Sequence, residues 1–190
     1  MAGRPVDHQR RAELLDAAVD YAADYGFSEL SWRTVAAGLG VSPTTLVHHF
    51  GTRENLIQAV LARLRERTAV ATSELAGEQP DLATAARAMW AWASDPQRRA
   101  VFTLFFAVYG SALQAPAQYA DFLEQAGAEV MDALRRAQGS AVDPGLATRR
   151  ATVVMATIRG LLLDLLSSQD PAGVHEAAEY FFGVLEHRDP

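Results

Sequence analysis

The sequence predicts an all-α protein of about nine helices, and three observations predict it. A side-chain acceptor followed by proline opens a helix, because the acceptor takes an N–H of the first turn and proline presets the backbone dihedral. Such pairs occur as Ser42-Pro43, Asp95-Pro96, Asp143-Pro144 and Asp170-Pro171, while Gly26, Gly51, Gly77 and Gly139 stand where helices should end. Between these marks the apolar residues recur at the helical period, as in Val174, Ala178, Phe181 and Leu185. No segment sustains the alternation of a half-buried strand.

Taken in order, the helices are expected over about 7–25, 32–39, 43–50, 53–76, 81–94, 96–113, 116–138, 144–168 and 171–187. Ser31, Thr52 and Asp81 are caps without a following proline. There is no internal repeat and no low-complexity tract. The length of 190 residues suits one compact domain with a small one appended. Apolar residues at 49% and charged residues at 21% are ordinary globular values. The most apolar segment, Ala151 to Leu166, is interrupted by Arg159 and Asp164, so it reads as a helix buried among helices and no membrane partner is expected. The amino terminus lacks the apolar core of a secretion signal. Cysteine is absent, which excludes a disulfide framework and thiolate chemistry, and a cytoplasmic location is expected.

The net charge of −6 argues against a general polyanion binder, since affinity for nucleic acid without sequence preference needs many cationic contacts to phosphate. The distribution is more informative. From Leu30 to Arg53 the chain has Arg33, Arg53, His48 and His49 and no carboxylate, which is the local electrostatics a small DNA-reading surface needs.

That stretch holds the two short helices, joined through Leu39-Gly40-Val41-Ser42 in the pattern of a helix-turn-helix. Val35, Ala36 and Leu39 on the first and Leu46 and Phe50 on the second face the shared core. Thr44 and His48 then point away from it, with Thr45 and Val47 on the flanks, where hydroxyl, imidazole and methyl groups can meet base edges. Ser42 and the first amides of the helix beginning at Pro43 form an anion site for a phosphate. Arg33 can reach a guanine or a phosphate. His48 and His49 are adjacent and lack the i, i+4 spacing of a helical zinc pair, so no metal site is expected. Short helix pairs with a glycine turn also occur in proteins that never touch DNA.

The run Arg10 to Leu61, RRAELLDAAVDYAADYGFSELSWRTVAAGLGVSPTTLVHHFGTRENLIQAVL, resembles the tetracycline-repressor-like (TetR) regulators. The resemblance implies an amino-terminal helix-turn-helix DNA-binding domain over 1–52 and a ligand-sensing and dimerisation domain over 53–190. It places Arg33, Thr44, Thr45 and His48 at base-facing or groove positions, and Ser31, Ser42, His49 and Arg53 near phosphates. Arg53 stands where the family usually has lysine, Val47 replaces a common tyrosine, and Gly51 lacks a frequent basic residue. Gly3-Arg4-Pro5 is similar to the amino-terminal arm of some members, which would set Arg4 in a minor groove; a disordered tail is the other reading. The implied function is sequence-specific transcriptional regulation, by a homodimeric repressor on double-stranded DNA with a pseudo-palindromic operator. A small apolar or aromatic effector would release it by shifting the helix over 53–76. No other cofactor is expected.

Beyond about Arg63 the residues carry architecture only. Met89, Trp90, Trp92, Phe102, Phe105, Phe106, Tyr109, Phe122, Met131 and Met155 concentrate large apolar side chains, each contributing about 1.5–3 kcal/mol if buried, and a plain core accounts for them. The resemblance adds an effector pocket, for which Met89, Trp90, Phe102, Phe106, Phe122 and Met155 offer walls and Thr103, Tyr109, Gln114 and Arg159 offer polar groups. Leu161, Leu165, Val174, Ala178, Phe181, Phe182 and Leu185 make the last two helices too apolar for one core face, so they are assigned to a dimer interface. Two rival readings stay open. One is an enzyme using Arg159 with Asp164 or His175 with Glu176, although neither spacing suits an acid–base pair. The other is an all-α protein-binding module that keeps the helix-turn-helix as scaffold.

Overall fold

The computed structural model describes residues 7–26, 30–74 and 81–187, with 68–74 as backbone only. These residues form α1 (His8–Tyr25), α2 (Trp32–Gly38), α3 (Pro43–Phe50), α4 (Arg53–Glu74), α5 (Leu82–Ala93), α6 (Arg99–Gln114), α7 (Ala120–Gln125), α8 (Ala128–Arg136), α9 (Pro144–Ser167) and α10 (Pro171–Glu186). No strand occurs among the described residues. The caps read from the sequence act as such. Ser31, Ser42, Asp81, Asp143 and Asp170 each accept an N–H from the first turn they precede, as does Asp7 at the start of α1. Gly77 lies outside the described residues.

Two expected helices are corrected. Asp95-Pro96 opens a single 3-10 turn, Pro96–Arg98, and α6 starts only at Arg99. The helix expected over 116–138 is two, because Gly127 takes the left-handed conformation at φ 94° and breaks the i to i−4 ladder between α7 and α8. Arg159 of α9 fills the break. Its guanidinium donates to the Ala126 carbonyl at 2.9 Å and lies where a Cβ on residue 127 would stand.

The chain divides into two compact units, residues 1–67 with 100–123, and 68–99 with 124–190. In the first unit Leu14, Val19, Leu30, Val35, Leu46, Leu56, Val60 and Leu64 are buried to 3% exposure or less. Gly38 permits a close approach of α2 to α1, since a Cβ there would collide with the Tyr21 ring. Asp16 of α1 takes both arms of Arg63 at 2.8 Å and a further bond from Arg67 at 2.8 Å, while Arg67 also reaches Asp20 at 2.5 Å. These pairs latch α1 to α4, and the Arg63 guanidinium holds the Asp16 carboxyl down to about 2.

The second unit packs α5, α8, α9 and α10 on one another. Ala86 and Trp90 of α5, Val154, Ile158 and Leu162 of α9, and Ala178 and Phe182 of α10 fill its core. Arg87 lies over the Phe182 ring, 5.4 Å from its centre, and pairs with Glu179 and Glu186. No helix among the described residues is long and apolar enough to cross a membrane.

Candidate nucleic-acid interface

The candidate reading head is α2, its turn and α3. Ser31 and Thr34 form a reciprocal capping box at the start of α2. The turn closes with Gly40 N–H on the Ala37 carbonyl at 3.2 Å and Val41 N–H on the Ala36 carbonyl at 3.0 Å. Gly40 sits at φ 65°, a conformation side chains other than glycine adopt at a cost. Ser42 Oγ then accepts the Thr45 N–H at 3.1 Å and Pro43 occupies the first turn, so α3 starts at a defined point.

Burial of Leu46 and Phe50 sets the rotation of α3 about its axis, and Val35 and Ala36 meet it from α2; Leu39 is half-buried. Pro43, Thr44, Val47 and His48 are exposed as a result, Val47 at 44% although it is apolar. Thr45 is half-buried and its hydroxyl shares a hydrogen bond with Ser42 Oγ at 2.8 Å. Arg33 is exposed on α2. At the far end Arg11 of α1 donates Nε–H to the His49 carbonyl at 3.3 Å and lies over the Phe50 ring at 5.1 Å, which satisfies a terminal carbonyl of α3 and ties it down.

Two other residues assigned to phosphate have bonds within the protein. Ser31 is spent on its capping box. Arg53 is exposed but donates Nε–H to the Leu30 carbonyl at 2.8 Å, fixing the start of α4 to the approach to α2. His49 is half-buried, and burial first and His48 second hold its imidazole below the ordinary value, so it is mainly neutral at pH 7. Its Nδ1 is buried without a hydrogen-bond partner. Arg4 lies outside the described residues.

Over this same stretch, residues 14–60 match the model of the bacterial regulatory proteins of the tetR family. Over these residues the chain is similar to that family. The HTH-type transcriptional regulator UidR of Escherichia coli is 37% identical to this chain over 57 residues, which are 30% of this chain and 29% of UidR. Similarity to that relative therefore covers under a third of either chain. Over the whole chain, a transcriptional regulator from Rhodococcus sp. Rha1 shares the fold, with a TM-score of 0.76, 24% identity and 92% and 94% of the two chains covered. The multidrug binding protein EbrR, solved with imidazole, gives a TM-score of 0.63 at 28% identity over 92% of this chain and 88% of its own.

Outside the tetR-family segment the residues expected to bind an effector fall into both units. In the first, Phe105 is ringed by Phe102, Phe106, Tyr109 and Phe122 with centroids 5.6–6.4 Å away, while Thr103 and Gln114 are exposed. In the second, Met155 is buried, Met89 is half-buried, and Trp90 Nε1–H donates to His175 Nδ1 at 3.3 Å. Arg159 and His175 thus serve the Ala126 carbonyl and the Trp90 indole, and Asp164 is exposed.

Of the residues assigned to a dimer interface, Ala178 and Phe182 are wholly buried inside the second unit and Leu165 nearly so, which makes them core positions. Leu161, Val174, Phe181 and Leu185 are half-buried. The apolar surface that α9 and α10 leave open is instead carried by Val153, Leu163 and Tyr180, at 57%, 50% and 77% exposure. Sequence reading missed these three. It missed Arg11, Gly38, Arg63 and Arg67 as well, whose partners lie on other helices and leave no local pattern.

Proposed function

We propose that the chain is a sequence-specific DNA-binding transcriptional regulator, a repressor that acts as a homodimer and is released by a small apolar or aromatic ligand. One observation carries the reading: the burial of Leu46 and Phe50 leaves Thr44, Val47 and His48 exposed along one side of a capped helix in a stretch free of carboxylates. Threonine and histidine offer donors and acceptors to base edges in the major groove, and the Thr44 and Val47 methyls suit the thymine methyl. Arg33 reaches a guanine or a phosphate, Ser42 and Thr45 present the helix start to the backbone, and Arg53 and His49 border it. Arg4 would add a minor-groove contact.

Two copies of α3 would enter grooves about 34–36 Å apart, or a multiple of that, on a pseudo-palindromic operator. The exposed Val153, Leu163 and Tyr180, with the half-buried Leu161, Val174, Phe181 and Leu185 on the same two helices, support self-association through α9 and α10. The aromatic residues around Phe105 support an effector with a ring, and the similar EbrR has been solved with imidazole and with proflavin. Such an effector acts only through its differential affinity for the two forms of the protein, and α4, which runs unbroken out of the tetR-family segment, is the element to carry the change.

A gel-shift against the DNA upstream of the gene tests the reading, with random DNA of the same length as reference. Thr44→Ala and His48→Ala each weaken the specific complex by about 1–3 kcal/mol and leave random binding nearly unchanged. Equal loss on both DNAs, or no specific complex at all, would contradict base readout.

A further inference from the structure

Few side chains of α3 are left in reach of a base edge. Leu46 and Phe50 are buried, the Thr45 hydroxyl is taken by Ser42 Oγ at 2.8 Å, and His49 is half-buried with its carbonyl held by Arg11. Pro43, Thr44, Val47 and His48 remain exposed. Direct readout in the major groove follows a short code, in which Arg or Lys grips guanine, Asn or Gln grips adenine, and Asp or Glu accepts from cytosine. The sequence of α3, PTTLVHHF, contains none of these residues. Hydroxyl and imidazole groups make single hydrogen bonds that suit more than one base, so Thr44 and His48 do not by themselves choose between bases. The code has one further sign, the C5 methyl of thymine, and apolar groups read it.

Val47 is such a group. It is 44% exposed and adds little to the fold, because Leu46 and Phe50 supply the buried contact of α3 and a β-branched residue is a weaker helix former than alanine or leucine. A lone exposed apolar side chain is ordinary on a protein surface. Val47, however, stands three positions after Thr44, a spacing that brings two side chains to one face of a helix. The Thr44 methyl and the two methyls of Val47 thus share that face, on a helix whose capped start and buried side fix its rotation. No carboxylate occurs from Leu30 to Arg53 to repel the phosphates that border a groove.

We infer that each half-site presents thymine to α3, and that Val47, with the Thr44 methyl beside it, recognises that base through its methyl group. The inference rests on α3 reading DNA and adds which base it reads. Val47 is then a specificity-determining residue, while Thr44 Oγ1 and His48 add single hydrogen bonds around it. Guanine at another position is left to the exposed Arg33 of α2. Taking one methyl group out of water is worth about four-fold in affinity. Deoxyuridine lacks that methyl but keeps O4 and its pairing with adenine, so exchanging it for thymine isolates the contact.

The test uses the full chain to select duplexes from a random-sequence library, then measures its affinity for the selected duplex with each thymine of one half-site replaced in turn by deoxyuridine. The expected result is a loss of about four-fold at one or two neighbouring positions and little change elsewhere. At one of these positions Val47→Ala should bind the thymine duplex about as weakly as the parent chain binds the uridine duplex, and should no longer tell the two apart. Val47→Ile keeps a branched apolar side chain and should retain the discrimination. The uridine series alters the DNA alone, so it does not depend on how a variant folds. A selected duplex that tolerates uridine at every thymine would overturn the inference and leave DNA reading by α3 intact. So would a Val47→Ala chain as sensitive to uridine as its parent at every position. Failure to enrich any sequence over random DNA would overturn both.

Discussion

Removing the charge of Asp16 by Asp16→Asn should destabilise the first unit, by an amount that depends on pH. In the folded chain the carboxyl takes three hydrogen bonds from Arg63 and Arg67 and titrates near about 2, against an ordinary value of 3.8. Full linkage would convert that difference into roughly 2.4 kcal/mol. The Asp16 side chain is 35% exposed, however, so solvent screening brings the expected value to about 1–1.5 kcal/mol. A depressed folded-state value means that the stabilisation is present above 3.8 and is lost as pH falls toward 2. Urea unfolding should be followed by Trp32 fluorescence, with Trp90→Phe and Trp92→Phe in both proteins. The gap between the parent chain and its Asp16→Asn variant should be full at pH 7 and close between about pH 4 and pH 2. A carbon-13 titration of the Asp16 carboxyl checks the same claim directly. A carboxyl titrating near 3.8, or a gap as wide at pH 2 as at pH 7, would refute the reasoning.

Further substitutions probe the reading head and its supports. Leu46→Ala, at a position with no exposed surface, should cost about 3 kcal/mol by urea unfolding, because it empties the contact that sets the rotation of α3. Gly40→Ala places a Cβ on a residue at φ 65° and should cost about 1 kcal/mol, although nothing stands within 4 Å of that Cβ; a neutral result would show that the turn relaxes. Arg11→Met keeps an unbranched, flexible side chain, shorter than arginine's, and loses the bond to the His49 carbonyl and the charge over Phe50. It should cost about 1 kcal/mol and speed hydrogen exchange in the last turn of α3 ahead of α1. Asp143→Ala should lower thermal stability by about 1 kcal/mol, with Asp143→Asn recovering most of it, since both oxygens can accept the Leu146 N–H.

Helix starts were legible because caps act on residues two or three positions away. Ser42 with Thr45 and Asp143 with Leu146 are local interactions, and a linear reading finds local interactions. The exposure of Thr44 and His48 was legible for a related reason, since two buried residues on a short helix fix which side faces out. The break at Gly127 was not. Apolar periodicity continues through Phe122, Val130, Met131 and Leu134, and the partner that stabilises the break, Arg159, lies 33 residues away. Arg63 and Asp16 are 47 apart, so their pairing had no signature either. Phe182 and Tyr180 mark a third limit, because an apolar stripe reveals that a helix must be covered but not which residues its own chain already covers.

The bond from Arg159 to the Ala126 carbonyl sets a condition on chemistry in that part of the chain. A carboxylate or phosphate that drew the guanidinium to itself would strand a backbone oxygen at a non-helical peptide, and such an unmet acceptor costs about 1–3 kcal/mol where water cannot reach it. Gly127 would at the same moment lose the group packed against its bare Cα. Any change that draws Arg159 away therefore removes from the junction of α7 and α8 both a hydrogen bond and the group packed against it.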